Sequence, residues 1–125
     1  MSDPEGLQLA IDQFVDRYKK NDDFDLVVGI ESRGFIVGSA LSYALKKGFV
    51  MVRKPGKLPG EVIAQEYKLE YGTDTLEMHV DAFNEGSKIL LVDDLLATGG
   101  TIMAAIELIQ KLGGTIFEIA FIIDL

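Results

Sequence analysis

The chain has no cysteine and a single histidine, His79. Without thiols neither a disulfide framework nor a thiolate zinc site can form, and one imidazole cannot build a histidine cluster. His79 therefore reads as a surface strand position. The lack of cysteine fits a reducing compartment. No apolar run approaches the roughly 18–20 residues of a membrane-spanning helix. The first residues, Met1-Ser2-Asp3-Pro4-Glu5, are acidic where a secretory signal would be basic and then apolar. Together these absences predict a cytoplasmic protein. Positive charge is scarce as well: 12 Lys and Arg face 20 Asp and Glu, a net charge of -8. That balance argues against a broad surface for nucleic acid or for an anionic membrane. An anionic ligand has to be held by a local cluster of cations.

What is present is a globular composition, 48% apolar and 26% charged over 125 residues. The length suits one core domain spanning 1–125. Asp3 reads as an N-cap with Pro4 at the first helical position, and Leu7, Ile11, Phe14, Val15 and Tyr18 follow helical spacing. Asn21-Asp22-Asp23 ends that helix. Phe24 to Ile30 is a short apolar run, as expected of a strand covered on both faces. A helix is predicted over Phe35–Lys46 with Gly48 as its stop, then a strand over Phe49–Val52. Arg53 to Gly60 reads as a loop. Glu66–Tyr71 and Thr75–Val80 alternate around Gly72-Thr73-Asp74, predicting an exposed, flexible β-hairpin lid. Its acidic positions between Glu61 and Glu70 read as solvated charges. Lys88–Val92 and Thr115–Ile123 are further strands, joined by a helix from Gly99 to Leu112 that Gly113-Gly114 stops. Met51 and Met103 read as core. Alternating strands and helices predict an α/β fold, a Rossmann-like parallel sheet flanked by helices.

Ligands of such sheets bind beyond the carboxyl ends of the strands, where Glu31–Gly34, Arg53–Gly60 and Asp93–Thr101 all arrive. In Ala97-Thr98-Gly99-Gly100-Thr101 the glycines can turn backbone N–H groups toward a phosphate, and a helix start adds its positive dipole. The same residues could be a tight strand-to-helix turn. Asp93 and Asp94, immediately before, suit the neighbouring hydroxyls of a ribose and could reach a divalent cation directly or through water. Taken alone they could be solvated loop charges. Glu31-Ser32-Arg33-Gly34 offers a hydroxyl, a guanidinium and helix-start amides for a second anionic group, or is a capped helix start with an exposed arginine. Arg53, Lys54 and Lys57 concentrate cations in an acidic protein, in a Pro- and Gly-bearing segment that suits a lid over a polyanion or an ordinary solvated loop.

Val92-Asp93-Asp94-Leu95-Leu96-Ala97-Thr98-Gly99-Gly100-Thr101 resembles the phosphoribosyl-pyrophosphate (PRPP) signature of the type I phosphoribosyltransferases. Gly29–Phe35, Arg53–Gly60 and Leu69-Glu70-Tyr71-Gly72 extend the likeness over essentially the whole chain, toward the adenine phosphoribosyltransferases. The resemblance implies a Mg²⁺-dependent transfer of phosphoribose from PRPP to adenine or another purine base, giving AMP and pyrophosphate. It implies that Asp93 and Asp94 hold the ribose hydroxyls and that Ala97, Thr98, Gly99, Gly100 and Thr101 bind the 5-phosphate. Glu31, Ser32 and Arg33 would form the pyrophosphate loop, often with a cis Glu31–Ser32 bond. Arg53, Lys54 and Lys57 would approach pyrophosphate from the lid side, one of them across a homodimer interface. Glu70 would assist proton transfer at the purine, with Tyr71 beside it. Members of the family also carry terminal segments that form a hood over the base. These 125 residues run from the first core helix to the last core strand, so the base-binding half is expected to be incomplete within them. That leaves a PRPP- or nucleotide-binding core with little or no turnover as the alternative.

Overall fold

Proline begins helix α1 (Pro4–Tyr18), where its fixed φ suits the first turn and its missing N–H leaves no helical bond unmade. Strands and helices then alternate: β1 (Leu26–Ile30), α2 (Arg33–Leu45), β2 (Gly48–Val52), β3 (Val62–Lys68), β4 (Thr73–His79), β5 (Lys88–Asp94), α3 (Gly99–Lys111) and β6 (Thr115–Ile122). The computed structural model describes residues 4–20, 23–31, 33–94 and 99–122. The expected N-cap Asp3, the helix end at Asn21-Asp22 and the strand end at Ile123 lie outside them.

The main sheet has the order β2-β1-β5-β6, and every neighbouring pair in it is parallel. Strand side chains alternate between faces, and here each face has its own core. On one, Val28, Ile30, Val52, Ile89 and Leu91 pack with Ala104, Ala105, Leu108 and Ile109 of α3. On the other, Val27, Leu90, Val92, Ala120 and Ile122 pack with Tyr18 of α1 and with Val37 and Leu41 of α2. Burial on both sides is why β1 and β5 are written as nearly unbroken apolar runs.

The hairpin of β3 and β4 is antiparallel and lies beside α3 on the first face. Its outer residues Ala64, Glu66 and Lys68 are exposed, as the sequence suggests. Its inner face is not: Leu76 and Met78 are fully buried and Tyr67 nearly so. Each such burial contributes roughly 1.5–3 kcal/mol, whereas an isolated two-stranded hairpin is marginal in water. Packing against the sheet and α3 therefore holds this element in place, and Lys111 Nζ adds a 2.6 Å hydrogen bond to Gln65 Oε1.

The two methionines expected in the core are outside it, Met51 at 38% and Met103 at 55% exposure. Met51 lies on β2, an edge strand, facing opposite to the buried Val52. Met103 lies on the side of α3 turned away from Ala104, Ala105 and Leu108. The end of α2 also differs from the expected stop. Gly48 opens β2, and the left-handed residue is Lys46, with φ 58°. Lys46 N–H donates to Tyr43 O and Lys47 N–H to Ser42 O, the paired bonds of a Schellman ending. α3 ends identically, with Gly113 (φ 85°) in the left-handed position and bonds from Gly113 to Gln110 and from Gly114 to Ile109. Left-handed geometry costs a residue with a Cβ roughly 1–2 kcal/mol, partly offset by the greater freedom glycine has when unfolded. Lys46→Gly is expected to raise stability by about 0.5–1 kcal/mol. Urea denaturation would show a higher midpoint with an unchanged m-value; a lower midpoint would refute the strain.

Candidate active site

Parallel strands bring their carboxyl ends to one edge of the sheet, and β1 lies between β2 and β5 there. Glu31, Arg53 and the pair Asp93-Asp94 thus arrive from neighbouring strands. Asp93 is 2% exposed near the end of β5, and Asp94, the last residue of that strand, pairs through its backbone with Ile122. α3 begins at Gly99, so Gly100 and Thr101 sit in its first turn, where the positive end of the helix dipole favours an anion. α2 begins at Arg33 on the neighbouring strand. Its approach depends on glycine. A Cβ on Gly34 would lie 2.7 Å from Val92 O, and one on Gly29 would lie 2.5 Å from Gly34 O. With hydrogen at both positions, the first turn of α2 lies directly on β1 and β5.

Glu31 ties the cationic loop to this edge. Its Oε1 accepts from the Lys54 backbone N–H at 2.9 Å and from Arg53 Nε at 3.4 Å. The Arg53 guanidinium also lies 5.3 Å from the ring centre of Phe35, in the first turn of α2. Arg53 exchanges both backbone hydrogen bonds with Glu77 of β4, and Glu77 Oε1 accepts from Gly56 N–H. At the far end of the loop, His79 Nε2 is 2.6 Å from Pro59 O. Lys57 lies exposed between these anchors. The tip of the hairpin, Leu69 to Gly72, is closed by a Leu69 N–H to Gly72 O bond and presents Glu70 and Tyr71 to solvent. That end of the hairpin adjoins α3: a Cβ on Gly100 would be 3.3 Å from both Lys68 O and the Tyr67 ring.

An acidic pair, two helix starts, a cationic loop and a hairpin tip thus gather around one sheet edge. The profile of the Phosphoribosyl transferase domain family matches residues 3–124. The chain belongs to this family. An adenine phosphoribosyltransferase from Chlorobium phaeobacteroides is 63% identical over the whole chain, which spans 71% of that relative. Among solved structures, the adenine phosphoribosyltransferase of Rhodothermus marinus superposes with a TM-score of 0.88 at 49% identity, covering 99% of this chain and 70% of its own. The enzyme from Saccharomyces cerevisiae, complexed with an imino-altritol bisphosphate and adenine, gives 0.89 at 42% identity, covering 99% of this chain and 72% of its own.

In this phosphoribosyltransferase most of the expected site residues meet at the one edge. Glu31, Arg33, Arg53, Lys54, Asp93, Asp94, Gly99, Gly100 and Thr101 are placed there by the ends of β1, β2 and β5 and the starts of α2 and α3. Glu70 and Tyr71 flank the edge from the hairpin tip. Ser32, Ala97 and Thr98 lie outside the described residues. Three side chains to which the sequence assigns only turn or strand positions also join the arrangement: Tyr67, Asp74 and Glu77. Lys54 Nζ donates to Asp74 Oδ2 at 2.5 Å and to Tyr67 Oη at 3.2 Å. The hydrogen bonds to Asp74 and Tyr67 raise the Lys54 pKa above its ordinary value. Asp74 is held below the usual carboxylate range by Lys54 and by Thr75 N–H. Among the described residues no three His, Asp or Glu side chains cluster as a metal cage. The donor set fits Mg²⁺ in one manner: one or two carboxylates, with water and substrate oxygens completing the octahedron.

Proposed function

We propose that this chain transfers phosphoribose from PRPP to adenine, releasing AMP and pyrophosphate, and that residues 1–125 act as one catalytic core in a cytoplasmic homodimer. The observation that carries the reading is the convergence of Asp93-Asp94, both helix starts and the cationic loop on one edge. Asp93 and Asp94 accept hydrogen bonds from the ribose hydroxyls and fix the sugar. Ala97 to Thr101 hold the 5-phosphate on the N-terminus of α3. Glu31, Ser32 and Arg33 line the pyrophosphate, which Arg53, Lys54 and Lys57 approach from the opposite side, one of them across the dimer interface.

Departure of pyrophosphate from the ribose carbon builds oxocarbenium character on the sugar, as in glycoside chemistry. Carboxylates at the ribose and cations at the leaving group stabilise both developing charges without reorganisation. Asp93 and Asp94, directly or through water, would hold Mg²⁺ together with the substrate, and the ion would supply further neutralisation of the leaving pyrophosphate. Glu70 takes up or relays the proton the base must lose, with Tyr71 beside it, and loop 53–60 excludes water that would hydrolyse PRPP.

Incubation with PRPP and Mg²⁺ and each purine base in turn tests the reading. AMP and pyrophosphate are expected with adenine, at a rate well above any nucleotide formed with the other bases. No nucleotide with any base would overturn it.

A further inference from the structure

Lys54 stands in an unusual position for a residue that binds an anion, because its charge is already answered. The Asp74 carboxylate contacts its ammonium, and Tyr67 Oη lies 3.2 Å from the same nitrogen and donates to Asp74 Oδ2 at 3.4 Å. Both partners are fixed. Asp74 Oδ1 accepts the Thr75 N–H at 2.8 Å, and Tyr67 is 7% exposed with its ring against Gly100. The ion pair itself is partly open, with 45% of the Lys54 side chain and 29% of the Asp74 side chain exposed. An ammonium has three donors, so two can be engaged by the hairpin while one serves a ligand. The neutral hydroxyl of Tyr67 orients the lysine without altering its charge. The carboxylate does something further: it competes for the ammonium and repels any approaching anion.

We propose that Asp74 is a positioning residue that weakens the hold of Lys54 on pyrophosphate, so that the leaving group is released faster than from an unpaired lysine. The inference rests on the assignment of Lys54 to pyrophosphate made above. Asp74 reaches this position because it pairs with Tyr67 across the hairpin and shares the inner face with Leu76 and Met78. The hairpin that carries the base-side residues Glu70 and Tyr71 thus also tunes the cation at the leaving group.

Asp74→Asn keeps the shape and leaves Tyr67 to orient the lysine. Calorimetric titration with pyrophosphate and Mg²⁺ is expected to show roughly two- to fivefold tighter binding, the range of a partly exposed ion pair. KM for PRPP should fall by a similar factor while kcat does not rise. Asp74→Glu should restore the weaker affinity, and adding Lys54→Ala to Asp74→Asn should abolish the tightening. A purely structural role would lower the melting temperature without tightening pyrophosphate. Unchanged or weaker pyrophosphate binding in Asp74→Asn, with Lys54→Ala clearly weakened, overturns the inference alone. If Lys54→Ala leaves pyrophosphate affinity untouched, the assignment of Lys54 is wrong and the inference falls with it.

Discussion

Replacing both Asp93 and Asp94 by asparagine is expected to lower kcat/KM for PRPP by at least about a hundredfold while the chain stays folded. Asparagine conserves volume, which matters at Asp93 because that residue is 2% exposed. What the change removes is charge. A hydrogen bond to an ionised acceptor is worth roughly 1.5–3 kcal/mol, and each 1.36 kcal/mol lost in the transition state is a factor of about ten. One lost charge-assisted contact therefore corresponds to about 10- to 150-fold, and the pair to more. The ribose becomes more cationic as pyrophosphate leaves, so the loss should fall on kcat as well as on KM. Circular dichroism and a denaturation midpoint separate this from unfolding. A folded double variant that turns over PRPP within about threefold of the parent would remove the two carboxylates from the mechanism.

The place of these two residues is legible in the sequence because the information is local. Ile89-Leu-Leu-Val-Asp-Asp is a doubly buried strand that becomes polar where it leaves the sheet, and Gly99-Gly100-Thr101 opens the next helix within the same short stretch. The alternation of strand and helix signals similarly fixed the parallel sheet. The partners of Lys54 were not legible, and the reason is register. Gly72-Thr73-Asp74 has the composition of a turn, but the turn closes at Leu69–Gly72, with Gly72 taking the left-handed φ of 87°. That puts Asp74 in β4 opposite Tyr67 rather than in solvent. A shift of this kind changes which residues share a face. The burial of the hairpin was hidden for a related reason: its alternation shows one apolar face, while the surface that covers it comes from α3, far along the chain. Met51 depended on strand order, since a position on an edge strand looks the same in sequence as one at the centre.

Gly34→Ala should cost about 1–3 kcal/mol of stability, the usual range for overpacking, and should also impair turnover. The added methyl carbon would sit 2.7 Å from Val92 O, and the obstacle is backbone in the centre of the sheet, with no rotamer to change. Relief requires the first turn of α2 to lift from β5. That movement shifts Arg33, the first residue of α2, from its place at the carboxyl edge of the sheet, and a displacement of about 1 Å in a positioned site can cost about a hundredfold in rate. Gly38→Ala provides the contrast. It meets Phe49 Cε1, also at 2.7 Å, but this is the edge of a half-buried ring that can turn aside. The order expected from urea midpoints is therefore parent, then Gly38→Ala, then Gly34→Ala, with kcat/KM for PRPP falling steeply only in the last. Equal losses of activity in the two variants would mean that α2 as a whole, rather than its first turn, governs the geometry of the edge. A Gly34→Ala chain as stable and as active as the parent would show that the contact between Gly34 and Val92 does not set the height of α2 over the sheet.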